Sequence, residues 1–179
     1  MSLITSDGRS AVFLREAEAE TLSGAANTTR LFADSSTTSG ALSSQRVTLR
    51  QGADGAVPHH HNNSAELFFV LGGRLQALAG DEVIIADEGD FLVVPPGMPH
   101  AFAAEPGSDA DVLIVIAPGV ERFEYFRLLD RVRRGTADPQ EILDAQDRFD
   151  NHFLDSPVWS RARSRRTPAR GGRTPGRGD

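Results

Sequence analysis

The residues able to do chemistry gather in two short segments of the chain. VPHHHNNSAELFF carries His59, His60, His61 and Glu66, and PPGMPHAF carries His100. Side chains alternate between the two faces of an extended strand, so His59 and His61 share a face while His60 turns to the other. Glu66 opens the run ELFFVL, where it faces the same way as Phe68 and Val70. A carboxylate at the head of an otherwise apolar strand needs a partner, because burying it unpaired costs several kcal/mol. A metal ion would serve. His100 follows Pro95, Pro96 and Gly97, a rigid turn that can aim its imidazole back toward the others. His59, His61 and His100 with Glu66 suit one divalent ion, iron first and then Ni, Mn, Zn or Cu, and leave positions open for catalysis. His60 then reads as a solvent-facing bystander, and His152, on a C-terminal helix, as a surface or packing residue.

Composition narrows the chemistry further. With no cysteine, neither a disulfide framework nor thiolate ligation is available. All 19 basic residues are Arg, which excludes Schiff-base lysines and lysine phosphate loops. The net charge of −6 conceals an asymmetry, for residues 160–179 carry seven Arg against Asp179 alone. Setting that +6 against the total of −6 leaves −12 on the rest of the chain. An acidic body repels phosphate backbones, so nucleic acid is not the expected partner. The Arg-rich tail lacks large apolar residues and is expected to be disordered. No run approaches the roughly 18 to 20 apolar residues that span a bilayer, and MSLITSDGRS lacks the features of a signal peptide. A soluble, cytoplasmic protein without a membrane partner is the expectation.

The elements that must position these residues are mostly strands. At 179 residues and 39% hydrophobic content the chain fits one domain. The runs ALSSQRVTLR, ELFFVLGG, GRLQALAG, DEVIIAD, DFLVVPP, HAFAA and DVLIVIA are punctuated by Gly, Asp and Pro, the pattern of a β sandwich or barrel. After Gly119, Val120, Phe123, Phe126, Leu129 and Val132 recur at helical spacing and predict a helix that ends at Gly135. A second helix is predicted from the N-cap Asp138, with Pro139 and Glu141 behind it, as far as Phe153. Asp130/Arg134 and Asp144/Arg148, acid first at a separation of four, would support the two helices.

The segment from Pro58 to Gly73, with H-x-H, four residues, Glu, six residues and Gly, closely resembles the first motif of the cupin superfamily. Gly89 to His100, through Pro95 and Gly97, resembles the second. The resemblance implies an all-β, jelly-roll-like double-stranded β-helix barrel with a two-helix C-terminal extension. The resemblance covers residues 40–118; with the helical periodicity and the tail's composition, the expected layout is one cupin domain at 1–159, its barrel core at about 30–118 and its helices at about 120–154, ahead of the tail at 160–179. The resemblance also carries the metal-ligand role to His59, His61, Glu66 and His100. The chain departs from the motifs at Ala53, flanked by Gly52 and Gly55, and at Ala104, where the family often has Gly and Asn; neither change removes a ligand.

Cupins support many reactions, so the pocket walls must narrow the choice. Phe68, Val70, Phe102 and Ala104 share faces with the ligands, with no Arg among these neighbours, so a small apolar or aromatic substrate is expected, flavonol-like or polyketide-like. The single barrel followed by APGVERFEYF resembles bacterial cupins of the quercetin dioxygenase type, which implies an oxygenase with Glu66 as the catalytic proton acceptor. A non-redox cyclase, isomerase or lyase is the alternative, with a non-catalytic small-molecule binder behind it. Leu67, Phe69 and Leu71 point outward and are apolar, so a homodimer through that face is expected. The competing arrangement folds the two helices over it.

Overall fold

The computed structural model describes residues 11–164. Its strands are β1 (Glu20–Ser23), β2 (Asn27–Ala33), β3 (Ser43–Leu49), β4 (His59–His60), β5 (Ala65–Ala79), β6 (Glu82–Asp87), β7 (Phe91–Val94), β8 (His100–Ala104), β9 (Ala110–Ala117) and β10 (His152–Phe153). The helices are α1 (Arg122–Arg133), α2 (Pro139–Asp144), α3 (Gln146–Phe149) and α4 (Pro157–Ser164). One sheet runs β1-β2-β3-β9-β5-β7 and the other β10-β4-β8-β5-β6, all antiparallel. The period-two alternation of the sequence is realised in β3 and β9, where buried and half-buried residues alternate.

ELFFVLGG and GRLQALAG, which read as separate runs, form the single 15-residue strand β5. Its first half pairs with β7 and β9 and its second half with β6 and β8, so one strand joins the two sheets. The bend needs glycine. The register with β9 shifts between Val70 and Gly72, and Gly73 takes a φ of +72°, where a Cβ would stand 2.1 Å from the Asp109 carbonyl oxygen. Val47, Leu49, Phe68, Val70, Val112 and Ile114 from one sheet meet Leu75, Ala77, Phe102 and Ala104 from the other in the barrel core. Each large side chain buried there contributes about 1.5–3 kcal/mol.

Helix α1 begins where a distant residue caps it. Glu121 supplies no side-chain cap, and Asp34, just past β2, accepts hydrogen bonds from the Arg122 and Phe123 amides at 2.7 and 3.3 Å. Gly135, at φ +72°, follows its end as predicted. Its buried face is Arg122, Tyr125 and Leu128, one position round from the predicted stripe. Phe126, Leu129 and Val132 of that stripe are only partly buried, because Phe126 and Leu129 line a cavity.

The second predicted helix is shorter than expected. The Asp138/Glu141 capping box is present, but α2 stops at Asp144, α3 stops at Phe149, and Asp150 turns left-handed at φ 46°. His152 and Phe153 therefore form β10 against β4 instead of a final helical turn. The break at Ala145 also separates the expected Asp144/Arg148 pair: Arg148 binds Glu121 at 2.8 Å and Asp144 accepts from Gln140. Asp130 and Arg134 do pair, at 2.7 Å.

Ser160 to Ser164, assigned by composition to the disordered tail, complete α4. Trp159 anchors that helix on Leu78, Ala101 and Ala103. Arg163 then donates to Asp54, to Gln76 and to the Gly52 and Ala104 carbonyls. Composition misses this because the apolar anchor precedes the Arg-rich stretch and the cation finds specific acceptors. The rest of the predicted tail, 165–179, lies outside the described residues. Helix α1 packs on β1 and α2, and α4 packs on β6, so Phe69 and Leu71 remain exposed beside Phe91 and Val93. Among the described residues no helix is long and apolar enough to cross a membrane.

Candidate metal centre

Three local constraints bring the two His-bearing segments together. The register of β4 with β8 sets His59 directly opposite His100. Glu66, near the start of β5, pairs with Ile116 on one side and Val94 on the other. Gly97, at φ +77° in the Pro-Pro-Gly turn, donates its amide to the His61 carbonyl at 2.7 Å. The predicted face assignment follows: His59, His61, Glu66 and His100 are all buried, with potential ligand atoms within 4.8 Å of one another. His60 faces away as expected but is half-buried, because β10 lays the His152 ring over it at 5.2 Å.

Each imidazole is held by its outer nitrogen. His59 Nδ1 lies 2.8 Å from the Val57 carbonyl oxygen, His100 Nδ1 lies 2.9 Å from that of Met98, and His61 Nδ1 contacts that of Asp150. Carbonyl oxygens only accept, so the proton sits on Nδ1 and a neutral ring presents its bare Nε2 lone pair inward. Glu66 Oε2 meets those nitrogens at 2.7 Å from His100, 3.3 Å from His61 and 4.0 Å from His59. Lone pairs facing a carboxylate repel unless a cation lies between them. His59 Nε2 has no hydrogen-bond partner among the described residues. Burial and the neighbouring His100 push the His59 pKa well below its ordinary value, which favours the neutral ligand form. Burial alone would raise the pKa of Glu66, but when the Nε2 atoms carry protons, hydrogen bonding with His100 and His61 holds it well below the usual carboxylate range, the same direction a cation between them would give. The donor set, the anchoring of each ring through Nδ1 and the orphaned nitrogen fit a divalent ion held by these four residues.

A cavity of about 490 Å³ opens beside the cluster, between β1–β3 and helices α1 and α2. That is an ordinary size for a small-molecule site. His59 and Glu66 border its reactive end, and Phe102, Tyr125, Phe126 and Leu129 give it apolar walls. Of the predicted wall residues, only Phe102 lines the cavity. Phe68, Val70 and Ala104 pack in the barrel core, because the helices enclose the open space on the β1–β3 side. The expected absence of a cation is corrected as well. Arg122, 4% exposed, borders the cavity with Nη2 4.0 Å from Glu66 Oε1.

Two further residues escaped the sequence reading. Asp150 accepts hydrogen bonds from the Asn62 and Asn63 amides at 2.7 and 2.9 Å, while its own carbonyl holds His61. Burial would raise its pKa, and the Asn63 and Asn62 amides more than offset that and hold it below the usual range. Asn151, also buried, reaches Arg122 through Oδ1 at 3.5 Å. The Asp-Asn pair inside a predicted helix was the available signal, since both types tolerate left-handed backbone and often end helices.

Residues 45–116 match the family model described as the cupin domain, so this part of the chain is a cupin domain. No curated protein sequence matches it significantly. Among solved structures it resembles KdgF from Halomonas sp., at a TM-score of 0.55 and 19% identity over 64% of this chain and 99% of that one. An RmlC-like cupin from Shewanella frigidimarina aligns with a TM-score of 0.54 and 18% identity, over 64% of this chain and 96% of that one. The polyketide cyclase RemF from Streptomyces resistomycificus gives 0.50 and 17% identity, over 68% and 96%. The shared feature is the barrel fold.

Proposed function

We propose that this cupin is a metal-dependent oxygenase acting on a small apolar or aromatic molecule, flavonol-like or polyketide-like. The observation that carries the reading is a buried His3Glu cluster opening onto one cavity with largely apolar walls. A bound divalent ion, iron first, would supply redox or Lewis-acid chemistry there. The chain's residues do the rest. Phe102, Tyr125, Phe126 and Leu129 exclude water from the bound molecule and set its orientation. Glu66 Oε1, the oxygen that the histidines do not engage, is placed to take a proton from a hydroxyl at the end of the cavity.

A second reading rests on Arg122. A buried cation beside Glu66 can stabilise negative charge developing on a substrate oxygen, which a cyclase, isomerase or lyase needs and which requires no oxidant. Elemental analysis of the purified protein, followed by aerobic and anaerobic assays on flavonol-like and polyketide-like phenols, separates the two. Oxygenation predicts turnover that stops without O2. Turnover that continues unchanged under strict anaerobiosis rejects it in favour of the second reading. The exposed strip of Phe69, Leu71, Phe91 and Val93 supports a homodimer as the working form.

A further inference from the structure

Among the described residues, the buried side-chain polar atoms without a hydrogen-bond partner are Gln45 Oε1, His59 Nε2, Arg122 Nε and Asn151 Nδ2. Such atoms are rare in native proteins. All four belong to residues that border the same cavity. A metal ion accounts for His59, and the other three need something else.

Arg122 is the most demanding of them. A guanidinium offers five N–H donors. Among the described residues this one makes a single side-chain hydrogen bond, at 3.5 Å to Asn151 Oδ1, and an ion pair with Glu66 at 4.0 Å that is too long for a hydrogen bond. The charge of Glu66 would be shared with any ion held by the histidines, which leaves the guanidinium less compensated still. It is nonetheless held in place. The Tyr125 and Phe126 rings lie against it at 4.8 and 5.5 Å, and its backbone amide is tied to Asp34. Asn151 turns Oδ1 toward Arg122, which leaves its Nδ2 donors beside the cavity unpaired.

We propose that Arg122 and Asn151 form an anion-recognition subsite, selecting apolar molecules that carry an ionised oxygen next to the metal end of the cavity. Gln45 Oε1 accepts from a hydroxyl of the same molecule. Carboxylates and phenolates share the required chemistry. The inference rests on the reading of the His3Glu cluster as the reacting end, and it names the substrate class for that reading.

The test is binding to the metal-loaded protein by titration calorimetry, above the pKa of the phenol, with two matched probe pairs. 4-Nitrobenzoate is compared with 4-nitrobenzamide, and 4-nitrophenolate with 4-nitroanisole. The expected result is a preference of about tenfold or more for the anion in at least one pair, the size of one charge-assisted hydrogen bond. The pair that shows it identifies the source of the oxygen. Arg122→Gln should abolish the preference while binding of the neutral partner stays within about threefold. Asn151→Ala should reduce it, and Arg122→Lys, which keeps charge but loses the planar fork, serves if the Gln variant does not fold. Titrations repeated on chelator-treated protein keep the two readings apart. A preference that survives metal removal supports the subsite even if the metal reading fails. A preference that vanishes with the metal, that Arg122→Gln leaves unchanged, or that appears in neither pair overturns it.

Discussion

Replacing Asp150 by Asn removes a charge while keeping the side chain's size and its tolerance of the left-handed backbone found there. The carboxylate accepts the Asn62 and Asn63 amides at 2.7 and 2.9 Å and lies 3.3 Å from His152 Nε2. Hydrogen bonds to a charged group are worth about 1.5–3 kcal/mol each. The variant's Oδ1 can keep one of them, and its NH2 would face the other amide, so a loss of about 2–3 kcal/mol is expected. At this chain length that lowers the melting temperature by about 4–12 °C. Because the Asp150 carbonyl also orients His61, metal affinity should fall by about 10 to 100-fold, the usual cost of disturbing a ligand's support. Thermal unfolding and competition against a chelator measure the two effects. The pH dependence has a definite sign. The folded pKa of Asp150 is depressed, so its contribution is fully present above the unfolded value of about 3.9 and is lost as pH falls through the folded value. The gap between wild type and variant should therefore close in acid. A variant that melts within about 1 °C of wild type and binds metal within about twofold would refute the clamp.

The remaining predictions concern ligands, the last helix and assembly. His59→Ala, His61→Ala and His100→Ala should each weaken metal binding by at least about tenfold, while His60→Ala should not; elemental analysis showing the reverse for His60 and His61 would place the strand register off by one. Glu66→Gln should keep part of the metal yet lose most activity, and full activity at full occupancy would remove Glu66 from both roles. A chain ending at Ser164 should melt like the full-length protein, whereas Trp159→Ala should lose about 3–5 kcal/mol in denaturant titration because it empties the Leu78 and Ala101 contact. Light scattering should give a dimer that Phe69→Glu with Phe91→Glu disrupts, and a wild-type mass near 19.3 kDa would sink the dimer.

The barrel and the four-residue cluster able to hold a metal ion were legible in the sequence because both are written in local terms. Alternation within VPHHH sorts His59 and His61 from His60 without knowledge of any distant residue, and Glu66 heading an apolar strand announces a need for a partner. The capping box at Asp138 and the glycine after α1 are equally local, and both are present. The joining of two runs into β5 was not legible, because the role of Gly73 depends on the Asp109 carbonyl that crowds it. Nor was the start of α1, capped by Asp34 from 88 residues away. The same separation hid Asp150, whose acceptor role belongs to a helix end in the sequence and to the His61 loop in space. Tertiary structure alone decided that Arg122, an ordinary residue at the head of an amphipathic helix, is buried beside Glu66. Local pattern dictates which face a side chain takes on its own element. Which elements then face each other, and so which charge borders the cavity, is set by packing across the whole chain.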